Sequence, residues 1–214
     1  MIARRNLFAA AAFLAAAAAM WGATFAYLAQ LERAELRAAR LERQTFARSL
    51  AEYEASSVRA IDLALVFLRQ LWSQDRASFE RALREHEELL RKERVIQVAV
   101  VDRHGDLLYS RLPQSGRPNF ADRDYFIRHS QATDDRMLVS EPVFGRVTQR
   151  WAIQLSRAMR DADGTFAGII VMAVPPPALE DVYRELNLGS GSVITLSRAD
   201  GQVLARSTGF DAAA

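Results

Sequence analysis

Apolar and polar residues are unevenly distributed along the chain. From Leu7 to Ala29 there is no charged residue. This run, LFAAAAFLAAAAAMWGATFAYLA, is about 23 residues, enough for a helix to cross roughly 30 Å of hydrocarbon. Phe8, Phe13, Leu14, Met20, Trp21, Phe25, Tyr27 and Leu28 supply most of its transfer energy. Trp21 and Tyr27 stand toward the far end, where interfacial aromatics are favoured. Arg4 and Arg5 precede the run and argue for a cytoplasmic N-terminus, although Arg33, Arg37, Arg40 and Arg43 flank the other side. A transmembrane helix over 7–29 is expected, with 1–6 in the cytoplasm and 30–214 outside it. A cleaved signal peptide is the alternative, and its apolar region is usually shorter, about 7–15 residues.

The pattern then becomes amphipathic. No Gly or Pro occurs between Gln30 and Trp72, and Leu36, Leu50, Tyr53, Ile61, Leu65, Leu68 and Trp72 recur at helical spacing. A long stalk helix is expected to continue from the membrane. Asp75 is a plausible N-cap for a second helix reaching about Glu93. Its run of Glu and Arg reads as a solvated face.

The period switches at Val95. VIQVAVV, a turn at Asp102–Gly105 and DLLYS predict a β-hairpin. Residues 111–121 are a loop, and Asp122 is expected to cap a short helix to about Gln131. Short extended pieces follow at 137–140 and 142–144. Over 149–159, Trp151, Ile153 and Leu155 alternate with Gln154 and Ser156. A turn at Asp161–Gly164 leads to a nearly all-apolar strand over 165–174, then a helix is expected over 178–186. A final hairpin, SVITLSRADGQVLARS, resembles the first, VIQVAVVDRHGDLLYS, and reads as the start of a second copy of the same unit. Helices followed by an antiparallel sheet make an α+β class.

Composition narrows the function. Lys+Arg number 28 and Asp+Glu 26, a formal charge of +2, so there is no strong nucleic-acid footprint. Cysteine is absent, which removes disulfides, thiolate metal sites and Cys nucleophiles. The three histidines, His86, His104 and His129, have no H-E-x-x-H spacing, and no G-x-S-x-G elbow occurs. Asp102 and Asp163 read as turn residues beside glycine. No enzymatic activity, metal or cofactor is expected.

The strings FADRDYFIRH and VSEPVFGRVTQRWAIQLSRAMRDADGTFAGIIVMAV resemble the extracytoplasmic double Cache sensor domain, a PAS-like module also called PDC. The style is that fused to bacterial histidine kinases and diguanylate cyclases, and the resemblance spans about residues 30–207. It implies a membrane-distal module over 30–186 carrying a ligand pocket. Residues 187–214 would begin a membrane-proximal module and stop within it. It also implies a bacterial inner-membrane protein with 30–214 periplasmic or extracellular, a homodimer, and an output domain, kinase or cyclase, outside this chain.

In related sensors a segment Arg-x-aromatic-aromatic recognises a ligand carboxylate, and Arg123-Asp124-Tyr125-Phe126 matches it. A guanidinium binds a carboxylate bidentately, and an aromatic can close over the ligand stem. Tyr109, His129 and Arg157 are further candidates: a hydroxyl from the hairpin, an imidazole later on the same helix, and a second cation on the central strand. Each also has an ordinary structural reading, as a core residue or an ion-pair partner. Amino-acid-binding members carry an Asp near the end of the last strand, where this sequence has Met172-Ala173-Val174-Pro175-Pro176. A small carboxylate is therefore the expected ligand, rather than a free α-amino acid. The alternative is a degenerate Cache domain that serves only as a dimerisation module.

Overall fold

The computed structural model describes residues 2–114, 116–176 and 193–206, with side chains from residue 13 onward. The chain divides into two compact units, Met1–Ser56 and Ser57–Ala214. The helix expected over 178–186 lies outside the described residues. Helix α1 spans Ile2–Gln74.

In the first unit the described residues all belong to this helix. It is long and apolar enough to cross a membrane, and none of its most apolar window is buried. Phe13, Leu14, Met20, Trp21, Phe25, Tyr27 and Leu28 all point outward. Thr24 donates its hydroxyl back to the Met20 carbonyl at 2.9 Å, which satisfies a polar group without a partner from outside the helix.

The second unit holds the last turns of α1 and everything after them. Asp75 caps α2 (Arg76–Glu85) as expected, accepting from the Ala77 and Ser78 amides at 2.8 and 2.9 Å. The second helix is in fact two. His86 leaves helical geometry at φ −102°, ψ 19°, and α3 (Glu87–Lys92) restarts with Glu87 and Glu88 in its first turn and Arg91 and Lys92 in its last. That charge order suits the helix dipole.

Five strands follow: β1 (Gln97–Asp102), β2 (Leu107–Ser110), β3 (Leu138–Phe144), β4 (Trp151–Arg160) and β5 (Phe166–Val174), with α4 (Asp124–Gln131) between β2 and β3. They form one antiparallel sheet of order β2-β1-β5-β4-β3. The two extended pieces expected over 137–144 are one strand, interrupted between Val139 and Pro142. Proline donates no amide to the ladder, so its tolerance on an edge strand is ordinary. Trp151, at the strand end, is 42% exposed and stacks edge-on against Phe144.

β6 (Thr195–Ser197) and β7 (Val203–Arg206) make a separate two-stranded sheet. It shares its turn with the first hairpin. In both, the fourth turn residue is glycine at positive φ, Gly105 at 86° and Gly201 at 89°. In both, that glycine donates to the first turn residue, Asp102 or Arg198, and the ladder slips one residue beside the turn. This is the three-residue loop closed by a glycine bulge. Gly105 has a second reason to be glycine, since a Cβ there would meet the Ala121 amide nitrogen at 2.5 Å.

The sheet has two covered faces. One packs on the helices: Ile61, Leu65 and Leu68 of α1 and Phe79, Ala82 and Leu83 of α2 cluster with Val98, Val100, Ile153, Leu155, Ile170 and Met172. Leu65 and Phe79 are fully buried, each contributing about 2–3 kcal/mol of apolar transfer energy. The opposite face carries a smaller cluster of Val101, Phe120, Tyr125, Phe126 and Ile169 beneath α4 and the loop before it.

Candidate ligand-binding site

The smaller cluster leaves part of its sheet face uncovered by large side chains. Ala173 of β5 lies between Gln97 of β1 and Gln154 of β4 in the ladder. The next row on this face is Ala99, Val171 and Ser156. Two alanines and two glutamines make a shallow, polar floor where the helix-side face has Val98, Met172 and Leu155. Phe120, Arg123 and Tyr125 cover it from the loop and α4, and Val143 to Thr148 from the end of β3 and the β3–β4 turn. The space between them is partly open to solvent and about 30 Å³, room for roughly two water molecules.

The polar groups around this space are incompletely satisfied. Gln97 is engaged, donating to Ser110 Oγ at 2.8 Å and accepting from the Leu112 amide at 3.2 Å. Among the described residues the Gln154 side-chain amide and the Tyr125 hydroxyl have no hydrogen-bond partner. Arg123 donates through Nη2 to the Phe144 carbonyl at 2.9 Å, but its Nε is buried without a partner. Unpaired buried donors cost free energy, so such a group needs an explanation. Burial pushes the Tyr125 phenol up to about 12, which keeps it a neutral donor.

The rim is charged. Arg146, on the β3–β4 turn, donates through both terminal nitrogens to the Asp122 carboxylate, each at 2.7 Å, and also to the Asn119 carbonyl. Its guanidinium lies 5.9 Å over the Phe120 ring. Those hydrogen bonds hold the Asp122 carboxyl down to about 2. Asp122 therefore does not cap α4, as the sequence had led us to expect. The cap residue is Arg123, and it makes no side-chain cap bond. Gly145 allows the tight turn, because a Cβ there would meet Thr148 Oγ1 at 2.1 Å.

Of the six residues singled out from sequence, Arg123 and Tyr125 line this cavity. Phe126 lies beside it in the core, edge-on to Phe166 at 5.5 Å. His129 is on the same sheet face but not in the lining. It is 1% exposed and shares a 3.0 Å hydrogen bond with Ser156 Oγ, and burial pushes its pKa down to about 4.

Tyr109 and Arg157 are on the other face. Tyr109 pairs with Val100 in the ladder and packs edge-on against Phe79 at 5.0 Å, with Trp72 at 6.1 Å. Arg157 pairs with Ile170 in the ladder and grips Asp62 of α1 with bonds of 2.6 and 2.8 Å. These bonds, offset in part by burial, raise the Arg157 pKa above its ordinary value. It braces helix to sheet. Sequence reasoning had not selected Gln97, Gln154 or Arg146. For the two glutamines a signal was present, an amide set among apolar strand residues on the face opposite the main core.

A larger open groove of about 890 Å³ runs past Arg69, Asp135, Met159 and Arg160 on the helix side. Its cations are already matched: Arg69 by Asp135 and the Ala158 carbonyl, Arg160 by the Gly164 and Ala132 carbonyls. Among the described residues no cluster suited to a metal ion occurs.

No family model and no curated protein matches the chain. Solved structures do. The extracellular domain assigned to a histidine kinase, rpHK1S-Z16, superposes with a TM-score of 0.67 at 26% identity, over 76% of this chain and 68% of that one. The ligand-binding domain of the Pseudomonas aeruginosa PAO1 amino acid chemoreceptor PctC, in complex with GABA, gives 0.55 at 18%, over 74% and 70%. The sensor domain of the Vibrio cholerae histidine kinase DctB gives 0.50 at 18%, over 78% and 66%. The described residues thus have the fold of extracytoplasmic sensor domains of the Cache class. The long apolar N-terminal helix and the mixed helix-and-sheet architecture agree with that fold.

Proposed function

We infer that this chain is the extracytoplasmic sensing region of a membrane-bound signalling receptor, and that it binds a small carboxylate in the cavity beside Arg123. One observation carries the reading: the Nε of Arg123 is buried without a partner in a cavity that Tyr125 and Gln154 also line. A carboxylate supplies acceptors for the guanidinium, the phenol and the amide together. The lining contains no Asp or Glu to meet an ammonium, which favours a carboxylate without an α-amino group.

The relay follows from the two-faced sheet. β1, β4 and β5 form the cavity floor on one side and pack on α1 and α2 on the other. A ligand that takes up space between the covering turn and the floor presses on strands whose reverse face holds α1. It biases the receptor only if its affinity differs between two arrangements of that helix. The apolar run at 7–29 anchors the chain in the bilayer with 1–6 cytoplasmic, and the receptor works as a homodimer.

A thermal-shift screen of mono- and dicarboxylates tests the reading. A ligand at about one hundred times its Kd stabilises by about 2.7 kcal/mol. A stabilising compound whose effect disappears in Arg123→Ala supports it. Absence of stabilisation across the panel would favour a domain that only dimerises.

A further inference from the structure

We propose that Asp122 is an internal stand-in for one carboxylate of a dianionic ligand: it holds Arg146 across the cavity mouth until the ligand takes its place. The inference rests on the carboxylate reading and adds a selectivity and a gate to it.

Two guanidiniums line the cavity, Arg123 and Arg146, and no acidic side chain does. One of the two is already occupied by a carboxylate. Asp122 meets Arg146 through two parallel bonds of 2.7 Å, the fork geometry that a ligand carboxylate adopts on arginine. The pair sits at the rim, with the Asp122 side chain 64% exposed and that of Arg146 36%. A forked pair this exposed is still open to exchange with another carboxylate of the same geometry. A carboxylate tethered through its other end at Arg123 has a high effective concentration at Arg146 and can displace Asp122.

The mouth has to open for any organic ligand. The 30 Å³ space is about a tenth or less of the roughly 300–1,000 Å³ of ordinary ligand pockets. The β3–β4 turn is fastened over the space by the same two arginines, Arg123 to the Phe144 carbonyl and Arg146 to Asp122. A dianion that takes both guanidiniums releases both fasteners and replaces them with itself. A monoanion satisfies only one, and leaves Asp122 on Arg146.

The test uses the full chain in lipid nanodiscs, titrated calorimetrically with succinate as the dianion and propionate as the monoanion. Asp122→Asn keeps the shape and removes the competing charge. Succinate is expected to bind about fivefold more tightly to this variant, the factor that an exposed pair of about 1 kcal/mol represents. Propionate is expected to change less than succinate. Arg146→Gln should lower succinate affinity at least about tenfold, toward that of propionate. Unchanged or weakened succinate binding in Asp122→Asn overturns the proposal. Arg123→Ala separates the two levels: if it leaves binding intact, the carboxylate reading itself fails. A ligand-free arm keeps the gate testable by itself. Hydrogen exchange of the amides over 146–150 should accelerate in Asp122→Asn, and unchanged exchange there overturns the clasp.

Discussion

Replacing His129 by glutamine should flatten the acid dependence of stability in the sheet domain. His129 is 1% exposed, faces β4 from the buried side of α4, and shares its hydrogen bond with Ser156. Burial is the leading cause of its low pKa. The charges of Arg128 and Arg160 push the same way, while the Ser156 hydrogen bond and the Asp134 charge oppose them. The unfolded chain takes up a proton near 6.5, whereas the folded chain keeps the ring neutral down to about 4. Stability from this group is therefore complete above the unfolded value and falls as the pH drops through the window between the two. Integrating that difference gives a loss of about 2 kcal/mol between about pH 7 and about pH 5. The assay is urea unfolding at the two pH values in detergent. Trp72 serves as a reporter because it packs on Phe79 and Tyr109. The wild type should lose that amount more than His129→Gln, whose amide can still bond to Ser156. Equal losses in the two proteins would show that His129 is not the titrating group.

Three further outcomes follow from the same structure. Arg157→Ala leaves Asp62 without its guanidinium and the Asp135 carbonyl without a donor, and should cost about 3 kcal/mol in chemical unfolding. Its effect should not add to that of Asp62→Ala. Asp75→Ala removes the cap of α2, leaves the Ala77 and Ser78 amides without their acceptor, and should lower the unfolding midpoint in the same assay. The Asp122–Arg146 contribution should be complete above the ordinary carboxyl value of 3.8 and disappear as the pH falls through about 2, read by an NMR titration of the Asp122 carboxyl.

The parts of the fold legible in the sequence are those fixed by local chemistry. The Asp102–Gly105 and Asp161–Gly164 turns announce themselves because the glycine bulge needs positive φ, and each sets the strands on either side. The break at His86 was not legible, since nothing in the charge run marks where one helix becomes two. Arg123 and Tyr125, which line the cavity, stand in a motif that lies within four residues. Tyr109 and Arg157 were placed in the pocket without regard to strand phase. Side chains alternate faces, so Arg157 shares the side of Ile153 and Leu155, while Gln154 lines the cavity and Ser156 stands on the same face beneath His129. The row Gln97–Ala173–Gln154 joins residues up to 76 positions apart (173 − 97), and only the pairing of three strands brings it together. Arg146 was hidden for a different reason, being a turn residue whose role depends on a loop folded over the same face.

A carboxylate bound beside Arg123 should be felt at α1. Hydrogen exchange followed peptide by peptide, with and without the best-stabilising carboxylate of the panel, tests it most directly. Slower exchange is expected at 143–150 and an altered rate at 61–71 of α1, both lost in Arg123→Ala. Protection confined to the cavity would contradict the relay, and no protection in the wild type would contradict the site.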